Sequence, residues 1–114
     1  MDYLVTRHKG ALEWLRQKVG AEAVYLPHLE DVRMLNPGDT VYGTLPVNRI
    51  AEICTLRAHY FHLLVDIPAH LRGKELTSDQ LDQLGARLVE FIALRPICDE
   101  SILKQAEERE SFYE

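Results

Sequence analysis

Three short runs of this chain carry residue types that handle phosphate. The first is Arg7-His8-Lys9-Gly10, a cation pair around a histidine, closed by glycine. The second is Gly43-Thr44-Leu45-Pro46-Val47-Asn48, which offers a hydroxyl and a carboxamide. The third starts at Asp66 and reaches Arg72-Gly73-Lys74. Arg7, Lys9, Arg72 and Lys74 supply full positive charges for an anion. His8 is the best proton-transfer group, because an imidazole with an ordinary pKa of about 6.5 exchanges its proton near neutrality. Taken singly, each run is also what an ordinary solvated connection looks like. Their meaning depends on whether the fold brings them together.

The remaining polar residues form no competing site. His59 and His62 are three apart on an expected strand and so face opposite sides, a poor spacing for one metal. His28 and His70 fall in loops. Cys54 and Cys98 belong to no Cys-x-x-Cys or Cys/His cluster and read as reduced, partly buried thiols. Glu13 and Glu52 lie on helices and make no paired-carboxylate site. Trp14, Tyr25, Tyr42, Tyr60 and Phe61 read as core rather than as a stacking platform. No metal and no cofactor are expected.

The elements that must position the three runs are legible from periodicity. Residues 3–6 and 23–26 read as short strands, and Leu12, Leu15 and Val19 space a helix between them. Gly20 suits the helix end. Asn36-Pro37-Gly38-Asp39 is a turn, since proline presets φ and glycine permits positive φ. Residues 40–42 read as a third strand. A second helix follows, with Thr44 as a possible cap, Pro46 in its first turn, and Ile50, Ile53, Cys54 and Arg57 along it. Residues 59–65 read as a fourth strand, ended by Asp66-Ile67-Pro68. Thr77 or Ser78 then caps a third helix, whose expected buried face is Leu81, Leu84, Leu88, Phe91 and Ile92. Ile102, Leu103 and Ala106 space a short tail helix. The order β-α-β-β-α-β-α, with a further helix, predicts an α/β domain: a small Rossmann-like, three-layer unit with a mainly parallel central sheet. The expected division is 1–95 for this domain and 96–114 for an acidic C-terminal helical tail. In such sheets ligands bind outside the carboxyl ends of the strands. The three runs follow the first, third and fourth strands, and each comes before a helix, whose N-terminal N–H groups attract anions.

Composition narrows the ligand. The 114 residues carry a net charge of −5, which argues against a long nucleic acid needing a basic face. A small anion held by local donors is compatible with it. Six of the 18 acidic residues lie after position 98 (Asp99, Glu100, Glu107, Glu108, Glu110 and Glu114), so the body is closer to neutral. No apolar run approaches the roughly 20 residues that span a bilayer, and Met1 to Arg7 does not resemble a signal peptide. A cytoplasmic protein without membrane contact is the expectation.

Three blocks carry a resemblance. They are Leu-Val-Thr-Arg-His-x-Gly-Ala-x-Glu-Trp at 4–14, Gly-Asp-Thr-Val-x-Gly-Thr-Leu-Pro-Val-Asn at 38–48, and Asp-x-Pro at 66–68 followed by Leu-Arg-Gly-Lys-Glu-Leu-Thr at 71–77. In this order they resemble the small CRISPR-associated proteins of type III systems, specifically the sixteenth member of the Csx series, a compact relative of the CARF-type nucleotide-binding fold. The resemblance covers residues 3 to 90, and the tail after Pro96 lies outside it. It implies a ring nuclease, which linearises cyclic oligoadenylate and switches off type III signalling. It also implies a homodimer with the ligand across its two-fold axis, and cyclic tetra-adenylate as the preferred ring. Cleavage would be metal-independent, by attack of a ribose 2′-hydroxyl on its neighbouring phosphorus. On this reading His8 is the general acid or base and Arg7 clamps the scissile phosphate. Thr44 and Asn48 position ribose or phosphate, and Arg72 and Lys74 hold the ring. Thr6, Gly10 and Gly43 complete the substrate-binding set. Lys9 stands where that family has a small residue or proline, and it is left out of the set. The alternatives are a sensor or sponge that binds the ring without cutting it, and a non-catalytic assembly subunit that binds no nucleotide.

Overall fold

A computed structural model of the chain describes residues 1–96. The expected tail helix and Cys98 lie outside the described residues. Short runs of apolar, aromatic and β-branched residues form four parallel strands: β1 (Asp2–Val5), β2 (Val24–Leu26), β3 (Thr40–Gly43) and β4 (His59–Leu64). A fifth strand, β5 (Arg87–Glu90), runs antiparallel against β4. The sheet order is β2-β1-β3-β4-β5. Helices α1 (Lys9–Val19), α2 (Val47–Thr55) and α3 (Ser78–Gln83) connect the strands.

Alternation along the strands splits the core into two. Tyr3, Val5, Val41 and Tyr60 pack with Leu29, Leu35, Ile50 and Ile53 on the α2 face. Leu4 and Leu63 pack with Ala11, Trp14, Leu15 and Leu81 on the α1 and α3 face. The result is the expected three-layer, Rossmann-like α/β domain. Trp14 is 2% exposed, and truncating it to alanine should cost about 3–5 kcal/mol, the usual range for a buried large aromatic. Its indole N–H also donates to Asp82 at 3.1 Å, tying α1 to α3.

The expected third helix over residues 78–92 is wrong in its second half. Helix α3 stops after Gln83, and Gly85 takes φ +79°. The Gly85 N–H donates to the Asp82 carbonyl at 3.1 Å and the Ala86 N–H to the Leu81 carbonyl at 3.0 Å. That is the Schellman stop, which favours glycine at the left-handed position. Leu88 and Val89 then pair with Leu63 and His62 as strand residues. Leu81, Leu84 and Leu88 fit helical spacing by coincidence over a short run. The start of α3 is as expected: Thr77 accepts from the Gln80 N–H, and the Gln80 side chain accepts from the Thr77 N–H.

The order 2-1-3-4 positions the site. From β1 the chain moves outward to β2 through α1. It then crosses to β3 and moves outward the other way through α2. With crossovers of one hand, opposite directions put the two helices on opposite faces. The loops after β1 and β3, side by side in the sheet, therefore part, and a crevice opens at their carboxyl ends.

Candidate functional site

A cavity of about 360 Å³ occupies that crevice. Thr6, Arg7 and His8 line it from the end of β1, His28 from the end of β2, and Thr44, Pro46 and Arg49 from the β3–α2 connection. Its lining contains two arginines and two histidines and no carboxylate. Arg49 is held by Glu52 at 2.9 Å on the next turn of α2. Among the described residues no carboxylate pairs with Arg7. Two helices begin beside the cavity, and neither is capped by a side chain: α1 starts after His8 and α2 after Pro46. Thr44 therefore does not cap α2, contrary to expectation, because proline holds that place with extended backbone. Neither helix has an acidic residue in its first turn. Forked guanidinium donors and free helix N–H groups suit a phosphate.

The loop after β1 is fixed by Thr6, 4% exposed. Its hydroxyl accepts from the His8 N–H at 3.2 Å, and its carbonyl accepts from the Tyr25 hydroxyl at 3.1 Å. His8 Nδ1 donates to Glu75 Oε1 at 3.1 Å. With Nδ1 engaged, the other ring nitrogen, Nε2, is the one left for proton exchange. The β3–α2 loop is fixed from below. The Leu45 N–H donates to the Tyr60 hydroxyl at 2.8 Å, and that hydroxyl lies 2.7 Å from His62 Nδ1. Burial pushes the Tyr60 phenol up to about 12, with the Leu45 bond pulling the other way. The phenol stays protonated at neutral pH and donates to His62. Burial also lowers the His62 pKa, so its neutral form is favoured.

A second cavity of about 400 Å³ lies between the end of β4 and α3, and His8 and Thr44 belong to its wall as well. Gly73, Lys74 and Glu75 line it from the connection before α3.

The structure thus brings Thr6, Arg7, His8, Thr44 and Lys74 to two adjoining cavities. It does not bring Asn48 or Arg72 there. Asn48 lines a separate groove of about 610 Å³ with Val32, Val47 and Leu94. The Arg72 Nε donates to the Ile67 carbonyl at 3.3 Å, within its own connection. Gly10 and Gly43 have packing reasons to be glycine. A Cβ on Gly10 would lie 1.8 Å from the Leu76 carbonyl oxygen, and one on Gly43 2.2 Å from that of Val5. Both allow backbones to approach closely beside the site.

Sequence reasoning missed Arg49, His28 and Glu75. His28 follows β2, so the rule of strand carboxyl ends points to it once applied to every strand. Arg49 sits in the first turn of α2, one residue past Asn48, where the second run was taken to end. Glu75 meets His8 across 67 positions, and no local spacing signals that pair. Among the described residues, no three His, Cys, Asp or Glu side chains gather as a metal site. No described helix is long and apolar enough to cross a membrane.

Residues 3–94 match the model of the family described as "Putative CRISPR-associated protein (Cas_VVA1548)". No curated protein and no solved structure matches the chain. The matched span takes in the described strands except Asp2 at the start of β1, helices α1, α2 and α3, and both cavities, and the chain belongs to this CRISPR-associated family.

Proposed function

We propose that this member of a CRISPR-associated family is a ring nuclease. It would linearise cyclic oligoadenylate, with cyclic tetra-adenylate as the first substrate to test, and so end type III signalling. The observation that carries the reading is the cavity at the β1/β3 switch point, lined by Arg7, His8, His28 and Arg49 without a carboxylate. The sequence blocks that resemble type III accessory proteins contribute most of that lining.

The chemistry follows from what the substrate already contains. A ribose 2′-hydroxyl attacks the adjacent phosphorus, the P–O5′ bond breaks, and the product carries a 2′,3′-cyclic phosphate and a free 5′-hydroxyl. The nucleophile is internal, so holding it in line with the leaving oxygen removes much of the barrier. Arg7 and Arg49 would neutralise charge growing on the phosphoryl oxygens. His8, oriented by Glu75, would move a proton through Nε2. The Thr44 hydroxyl would hold ribose or phosphate, and Lys74 would approach from the β4–α3 connection. Asn48 and Arg72, outside the cavities, keep no direct role. A cavity of about 360 Å³ suits a single small ligand rather than four nucleotides. The ring would therefore extend over two copies of the chain, a homodimer.

Incubation with internally labelled cyclic tetra-adenylate, followed by separation of products, tests the reading. Linear product supports it. A ring that is bound but intact identifies a sensor or sponge, and a ring that is not bound leaves an assembly subunit.

A further inference from the structure

The two cavities share a wall made by His8 and Thr44 but differ in kind. The switch-point cavity presents Arg7, His28 and Arg49. The β4–α3 cavity is lined mainly by Ala11, Leu63, Val65, Ile67, Leu76 and Leu81, with Lys74 and Glu75 as its charged members. Ala11, Leu63 and Leu81 belong to the core, so this cavity is backed by packed side chains rather than by loop alone. A phosphate would gain little there, since it would lose water against apolar side chains beside a carboxylate. A nucleobase has the matching chemistry: flat apolar faces to bury, and a polar edge for the charged residues. At about 400 Å³ the space lies in the usual range of small-molecule sites, which are apolar with a few placed polar groups.

We propose that the β4–α3 cavity is a nucleobase subsite, and that one nucleotide straddles the shared wall with its phosphate in the switch-point cavity. The proposal rests on the nucleotide reading above and adds where base, sugar and phosphate go. Between base and phosphate lies the ribose, opposite His8 and Thr44. That places the imidazole next to the sugar hydroxyls, where the proposed reaction begins.

The test uses the full chain and three probes: AMP, ribose 5-phosphate and adenosine, each titrated while side-chain resonances are followed by NMR. AMP should shift the Val65 and Ile67 methyl groups together with the Arg7 and Arg49 side chains. Ribose 5-phosphate should shift the arginines and leave the methyl groups still, and adenosine should do the reverse. Ile67→Trp fills the apolar cavity from a half-buried position. It should weaken AMP at least about tenfold, a loss equivalent to about 1.4 kcal/mol, and leave ribose 5-phosphate unchanged, which also reports that the variant is folded. Methyl groups that stay still at saturating AMP overturn the subsite, as does wild-type AMP affinity in Ile67→Trp. The wild-type titration decides even if the variant does not fold. Failure of the parent reading looks different: cyclic tetra-adenylate stays intact while AMP still shifts both cavities. Cleavage of the ring with unmoved methyl groups removes the subsite alone.

Discussion

Replacing Tyr60 with phenylalanine isolates one hydroxyl that holds the floor of the site. Tyr60 is fully buried, so the change leaves no void larger than an oxygen atom. It removes the acceptor of the Leu45 N–H at 2.8 Å and the donor to His62 Nδ1 at 2.7 Å. A part-buried amide left without a partner costs about 1–3 kcal/mol. His62 is only half-buried and recovers part of its loss from water. The sum is about 2 kcal/mol, which lowers the melting temperature of a domain this size by roughly 10 °C. Thermal and urea unfolding measure it, with Tyr42→Phe as the control. The Tyr42 hydroxyl bonds nothing among the described residues, so that variant should stay within about 0.5 kcal/mol of wild type. Hydrogen exchange localises the effect: the Leu45 amide should lose protection while β1 amides keep theirs in proportion to global stability. A Tyr60→Phe variant melting within about 2 °C of wild type would refute the claim that this hydroxyl anchors the β3–α2 loop.

Three further outcomes follow from the same structure. His8→Ala should slow ring cleavage by on the order of 10²–10⁴-fold with little change in dissociation constant, whereas Arg7→Ala should weaken both; single-turnover rates beside direct binding separate them, and wild-type cleavage by His8→Ala removes the proton-transfer role. Arg57 ends α2 with φ 62°, a left-handed conformation that costs a side chain about 1–2 kcal/mol; Arg57→Gly should raise stability by about 0.5–1 kcal/mol after the extra freedom of glycine in the unfolded chain is subtracted, and a lower urea midpoint would contradict this. Burial holds His62 below the ordinary histidine pKa, so as pH falls through about 6.5 the unfolded chain takes up the proton first and the His62 contribution to stability declines down to its folded pKa; the urea midpoint at pH 5 relative to pH 7.5 should fall less in His62→Asn than in wild type, and equal slopes would remove the assignment.

Most of the sheet was legible because its strands are short apolar runs between unambiguous breaks. Pro27, the Asn36-Pro37-Gly38-Asp39 turn and Pro46 each interrupt a pattern that cannot continue through them. The end of the third helix was not legible, since Leu81, Leu84 and Leu88 satisfy a helical period and Leu88 also fits a strand. Only the left-handed Gly85 decides between them. Within the site, Arg7, His8 and Thr44 could be found because they directly follow strands in a parallel sheet. Asn48 was misplaced by the same reasoning carried one residue too far: past Pro46 the chain is already helical, and successive side chains point to different sides. That is why Arg49 reaches the cavity and Asn48 lines another groove. The contacts that orient the site, His8 to Glu75 and Leu45 to Tyr60, join distant or backbone groups and leave no trace in local spacing.

The central claim is that the switch-point cavity linearises a cyclic oligoadenylate using only groups of the protein and the substrate. Single-turnover cleavage of internally labelled cyclic tetra-adenylate in excess EDTA, with the product ends identified by mass, tests it most directly. The account predicts linear product bearing a 2′,3′-cyclic phosphate and a 5′-hydroxyl, formed at the same rate with and without chelator and more slowly in Arg7→Ala. An intact ring at every enzyme concentration, or cleavage that stops in EDTA and returns with added manganese or magnesium, would contradict it.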